Sequence, residues 1–114
     1  MNRKGFVLIQ EEDDQIRELL ERWLGEAGYA VSATGEERPC LVIANVPSPR
    51  RAQALIQSLQ EYAAPIIVLS GRFRRGLAGS AEAARRLGVK KVLPKPFTRK
   101  ELLAAVAASL AEEE

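Results

Sequence analysis

A chain of 114 residues with a formal net charge of +2, 46% hydrophobic and 28% charged residues, has the size and balance of one soluble globular domain with a real core. It holds no histidine and one cysteine, which excludes histidine-based nucleophiles, histidine metal sites and an internal disulfide. No apolar run is long enough to span a bilayer and the start lacks a secretory hydrophobic region, so a cytoplasmic protein with no membrane partner is expected.

Phe6-Val7-Leu8-Ile9 reads as a first buried strand. It ends in Gln10 and four consecutive acids, Glu11, Glu12, Asp13 and Asp14. Ile16, Leu19, Leu20, Trp23, Leu24 and Ala27 follow at helical spacing and predict an amphipathic helix. Asp13 or Asp14 serves as its N-cap, acids suit that end of the dipole, and Gly28 stops it. Tyr29 to Ala33 reads as a second strand and Thr34 to Pro39 as a polar loop too short for a helix.

Cys40-Leu41-Val42-Ile43-Ala44-Asn45 is the organising stretch. A continuous apolar run bounded by turn residues predicts a buried parallel strand, with Cys40 as core filler. Chemistry in open parallel sheets sits just beyond the carboxyl ends of the strands, so Asn45 stands where a reactive group is expected. Its carboxamide is a poor nucleophile and cannot accept a phosphoryl group as a carboxylate does.

Ser48-Pro49 starts the next helix, with a hydroxyl cap and proline at the first helical position. Its buried stripe is Ala52, Leu55, Ile56 and Leu59. Pro65 to Ser70 predicts a strand ending in a hydroxyl, and Gly71-Arg72-Phe73-Arg74-Arg75-Gly76 a basic loop. Ser80 caps a short helix through Leu87, ended by Gly88. The last strand, Lys91 to Pro94, runs into Lys95-Pro96-Phe97. Thr98-Arg99-Lys100-Glu101 is a capping box for a final helix buried through Leu102, Leu103, Val106 and Leu110. Acids at 112–114 oppose the helix dipole, so residues 109–114 are expected to fray. Strands alternating with helices predict one α/β domain over residues 1–114, with a parallel sheet and right-handed crossovers.

Acids after strand one, Asn45 after strand three, and Ser70 and Lys95 after strands four and five fall at strand ends together. On these residues the chain resembles the receiver domain of bacterial two-component response regulators. The matching segments are Val7 to Arg17, Pro39 to Pro49, Pro65-Ile66-Ile67-Val68-Leu69-Ser70 and Leu93-Pro94-Lys95-Pro96-Phe97, nearly the whole chain. The resemblance implies a flavodoxin-like, doubly wound, five-stranded parallel sheet of order 2-1-3-4-5. It further implies acids at Glu11 and Glu12 in the positions that bind Mg²⁺, a sensing hydroxyl at Ser70, a phosphoryl-binding lysine at Lys95 and a cis Lys95–Pro96 bond.

Several positions depart from that pattern. Asn45 replaces the phosphoacceptor aspartate, glutamates replace the usual metal-binding aspartates, Val92 stands at the aromatic switch position, and the usual glycine after Pro49 is missing. Together they suggest an abandoned phosphorylation switch. The link from Thr34 to Pro39 reaches roughly 20 Å when extended, just enough to cross one strand and return along another. The family's second helix is therefore expected to be missing or reduced to a loop. Apolar sheet surface near Leu8, Leu41 or Ile43 would then be uncovered, a setting for a homodimer or a partner.

The expected function is a pseudo-receiver: a non-enzymatic, phosphorylation-independent interaction module in signalling, with no cofactor beyond weak Mg²⁺ at Glu11 and Glu12. Lys95 pairs with Glu11 or Glu12, and the Asn45 amide bonds to a carboxylate, Lys95 or Ser70. Residues 1–46 carry 5 basic and 9 acidic side chains, residues 47–114 carry 12 and 6. Arg72, Arg74, Arg75, Arg85, Arg86, Lys90 and Lys91 form either a solvated face or a surface for an acidic signalling partner, or for a homodimer through the last two helices. Alternatives are a conventional phosphorelay receiver using Glu12 or Asp13, and nucleic-acid binding through the basic patch. Phe73 is the only aromatic interleaved there, which speaks against nucleic acid. The missing histidine and glycine-rich phosphate loop speak against a small-molecule enzyme.

Overall fold

Successive side chains of a strand point to opposite faces, and that alternation divides the apolar residues of this chain into two cores. In the computed structural model, residues 6–32, 39–46, 49–71 and 84–112 are described. The elements are β1 (Val7–Gln10), α1 (Asp14–Glu26), β2 (Val31–Ser32), β3 (Leu41–Asn45), α2 (Pro49–Leu59) with a 3₁₀ turn Gln60–Tyr62, and β4 (Ile66–Ser70). A helical stretch at 84–87, labelled α3, precedes β5 (Lys91–Pro94) and α4 (Arg99–Glu112). All four strand pairings are parallel, in the order β2-β1-β3-β4-β5.

Val7, Ile9, Leu41, Ile43, Ile67 and Leu69 face α1 and α4, where they meet Leu20, Leu24, Leu102 and Val106. Leu8, Val42, Ala44, Ile66, Val68 and Val92 face the other way, onto Ile56, Leu59 and Ala84. Leu8, Leu41 and Ile43 are each 0% exposed. The expected uncovered patch at these residues is therefore corrected: Leu8 lies on the face that α2 covers, while Leu41 and Ile43 lie under α1 and α4. The loop expected in place of the second helix runs from residue 34 to 39, and its residues 34–38 lie outside the described residues, as does the Ser80 cap.

Local signals act as their chemistry dictates. Asp13 caps α1, its Oδ1 accepting from the backbone N–H of Gln15 at 2.9 Å and of Ile16 at 3.1 Å. Gly28, with φ +94°, turns the chain after α1 in a left-handed conformation that a side chain would strain. The turn uses Tyr29 to close α1, its N–H donating to the Leu24 carbonyl, so β2 begins at Val31 and not at Tyr29. Thr98 and Glu101 form the reciprocal capping box, Thr98 N–H to Glu101 Oε1 at 2.9 Å and Glu101 N–H to Thr98 Oγ1 at 3.0 Å.

One expectation about helix faces fails. Leu19 is 37% exposed and Ala27 is also exposed, because only the arc through Ile16, Leu20, Trp23 and Leu24 meets the sheet and α4. At the far end α4 runs to Glu112, with Ser109 0% and Leu110 8% exposed. Burying Leu110 outweighs an unfavourable dipole term of about 0.3–1 kcal/mol.

Candidate functional site

The carboxyl ends of the parallel strands bring the polar residues together. Glu11 continues the parity of Val7 and Ile9 past the end of β1, so its side chain tops the α1–α4 core. That side chain is 2% exposed and takes the Lys95 ammonium at 3.2 Å on Oε1. Its Oε2 accepts the Asp13 N–H at 3.1 Å. The Glu11 carbonyl accepts from Arg17 Nη1 at 3.3 Å, and Arg17 Nη2 reaches Asp14 Oδ1 at 2.7 Å. Bonding to Asp14 holds the Arg17 guanidinium further above its already high range. Both oxygens of a desolvated carboxylate are thus satisfied, as burial of a charge requires.

Asn45 ends β3 and is half-buried. Pairing of Gln10 with Ala44 and of Asn45 with Leu69 puts Asn45 alongside Glu11 on one side and β4 on the other. By strand alternation it shares the face of Leu41 and Ile43, the face that Glu11 tops. Ser70 has the opposite parity and is 1% exposed. Its carbonyl accepts the Lys95 N–H at 2.9 Å, and the Leu69 carbonyl accepts the Val46 N–H at 2.9 Å, which fixes where the pocket residues leave the sheet. The Lys95–Pro96 peptide bond is cis.

Of the two acids expected in the pocket, Glu11 enters it and Glu12 is exposed, a correction set by alternation at the end of β1. The choice left open for Lys95 falls to Glu11. Asp13 spends its carboxylate on the α1 cap. Val92, 6% exposed, is packed in the α2-side core. Arg85, Arg86 and Lys91 are exposed and Lys90 half-buried, while Arg72, Arg74 and Arg75 lie outside the described residues. Among the described residues no three His, Cys, Asp or Glu side chains come together to hold a metal ion. Hard divalent cations favour several oxygen ligands, anionic ones foremost. A donor set of one carboxylate already engaged by Lys95, one neutral carboxamide and an outlying Glu12 does not fit such an ion.

Sequence reasoning missed two further contacts of α1: the Trp23 and Phe97 rings meet edge to face at 6.3 Å and 72°, and Arg99 at the start of α4 reaches Glu26 at 3.3 Å. Between these lies a groove of about 400 Å³ lined by Ile16, Leu19, Lys95, Pro96 and Phe97. Leu19 in the apolar stripe and Phe97 next to the lysine were its only signals.

No protein-family model matches the chain. Among curated proteins it is 35% identical to the transcriptional regulatory protein GltR of Pseudomonas aeruginosa, over 91% of this chain and 48% of that protein. It is 32% identical to the DNA-binding transcriptional regulator NtrC of Bradyrhizobium sp. strain RP501 Parasponia, over 95% of this chain and 25% of that protein. The chain thus spans about half the length of the first and a quarter of the second. A crystal structure of a response regulator receiver protein from Burkholderia phymatum superposes with a TM-score of 0.73 at 25% identity, covering 95% of this chain and 96% of that one.

Proposed function

From the receiver domain of a bacterial response regulator, which both the sequence and the structural likeness support, we propose a pseudo-receiver: a phosphorylation-independent protein-interaction module in signal transduction. The observation that carries this reading is the closed pocket, where Lys95 is bonded to Glu11 at 3.2 Å beside a β3 end occupied by the Asn45 carboxamide. A phosphoryl acceptor must offer a nucleophilic atom to the incoming phosphorus, as a carboxylate oxygen does and a carboxamide does not. Here the pocket carboxylate is committed to Lys95 and to the Asp13 N–H, and the β3 position offers an amide. Glu12 is exposed and Asp13 is a cap, which weighs against transfer to either.

With no chemical input, the module works by surface. The proposed contact region is β5 with the helices that flank it, where exposed Arg85, Arg86 and Lys91 offer charge to an acidic signalling protein. The deciding experiment is intact-mass measurement after incubation with acetyl phosphate and Mg²⁺. The native chain keeps its mass; a gain of one phosphoryl group on any acidic side chain ends the reading. Asn45→Asp is the positive control, restoring a carboxylate at the end of β3.

A further inference from the structure

We infer that the occupant of the basic β5-side surface is the acidic α1 surface of a second copy of this chain, so that copies associate head to tail. This rests on the interaction-module reading and names the partner of the same surface. Residues 11–26 carry seven acids against Arg17 and Arg22, and residues 84–91 carry four basic residues and no acid. Glu12, Asp13, Asp14 and Glu18 are exposed around the start of α1, as are Arg85, Arg86 and Lys91 at the other pole. Asp14, Glu11 and Glu26 are neutralised by Arg17, Lys95 and Arg99, so Glu12, Asp13, Glu18 and Glu21 against Arg22 give this pole its net negative charge.

The fold sets these poles on different sides of the sheet. α1 packs on one side of the sheet next to β2 and α4. Residues 84–91 lie across the opposite edge, with Ala84 in the core on the other side and β5 as the edge strand. One molecule can therefore use both poles at once. A two-fold contact through either pole would set like charges against each other, which is costly. Contact between unlike poles is heterologous, and such contacts close into rings or propagate as open chains.

The test is sedimentation of the full chain across a concentration series at about 20 mM and about 0.5 M salt, where the screening length falls from about 20 Å to a few ångströms. The native chain should gain weight-average mass with concentration at low salt, pass beyond the dimer, and return to monomer at high salt. Arg85→Glu with Lys91→Glu removes the net charge of residues 84–91, and Glu12→Lys with Glu18→Lys takes residues 11–26 from seven acids against two bases to five against four. Each double variant alone should be monomeric at low salt, and an equimolar mixture should associate again, which misfolded variants would not do. A native chain that stays monomeric at low salt, a dimer that closes at two, or a mixture that stays monomeric overturns the inference. Failure here with an unchanged mass after acetyl phosphate removes the self-association alone and leaves the pseudo-receiver reading standing.

Discussion

The two sides of the sheet are built from the same strands yet end differently. On the α1–α4 side the strand parity runs out into Glu11, Asn45 and Lys95, and the helix above is tied to the segment after β5 by the Glu11–Lys95, Trp23–Phe97 and Glu26–Arg99 contacts. On the α2 side it ends in the Ser70 hydroxyl and the aliphatic Val92. In a receiver fold these two parities carry different halves of a switch: the charged pocket belongs to one, the sensing hydroxyl and switch residue to the other. Here an ion pair joins Glu11 to Lys95 on the first side, and the aliphatic Val92 packs on the second. Two separate cores thus pack the two faces of one sheet.

The largest effect tests that separation. Leu102→Ala on the α4 side and Ile56→Ala on the α2 side, 0% and 2% exposed, should each cost about 2–5 kcal/mol in urea unfolding. Lying across the sheet with no shared partner, their costs should add within about 0.5 kcal/mol. A larger coupling would show that the sheet transmits strain between its sides and that the two cores act as one. Glu11→Gln comes next. It leaves the Lys95 ammonium without its counter-charge and should cost about 1.5–3 kcal/mol, a hydrogen bond to a charged group. Glu12→Gln, one residue along and exposed, should stay within about 0.5 kcal/mol. Equal costs would mean that the pocket does not distinguish the two acids.

Ser109→Ala should move stability the other way. The Ser109 side chain is 0% exposed, and among the described residues its Oγ finds no hydrogen-bond partner. A buried unsatisfied hydroxyl costs about 1–3 kcal/mol, and alanine is the better helix former. The substitution should raise the unfolding midpoint by the equivalent of about 1 kcal/mol. Thr98→Ala should lower it by a similar amount, since it removes the hydroxyl that caps α4.

What could be read from the chain alone follows from how local each signal is. The Thr98–Glu101 box, the Asp13 cap and the β3 apolar run act within a few residues, and they form as their chemistry requires. Lys95 at the end of β5 meets an acid 84 positions away, and that contact was legible only through the motif it resembles. Which acid it meets was not, because Glu11 and Glu12 are chemically alike. The distinction lies in extending the Val7, Ile9 parity one step past the strand. The uncovered-patch expectation failed because loop length bears only on the link after β2, whereas Leu8 is covered by α2 from elsewhere in the chain.

The smallest effect bears on the α1 side again. Leu19 and Leu20 are neighbours in sequence, both within the apolar stripe, yet Leu20 is 0% and Leu19 37% exposed. A helix turns by about 100° per residue, so one of two adjacent leucines faces the core while the other reaches the rim of the groove beside Phe97. Truncating Leu20 removes a fully desolvated side chain and should cost about 2–5 kcal/mol. Truncating Leu19 removes carbon that already meets water and should shift stability by no more than about 0.5 kcal/mol. The tryptophan emission of Trp23, which sits one turn on and against Phe97, gives a local readout in the same samples. Leu19→Ala should leave that emission near its native wavelength, because the Trp23–Phe97 contact does not depend on the groove being filled. A cost for Leu19→Ala as large as for Leu20→Ala would mean that α1 is rotated so that the groove closes, and the three ties from Glu11 to Glu26 would then have to be redrawn.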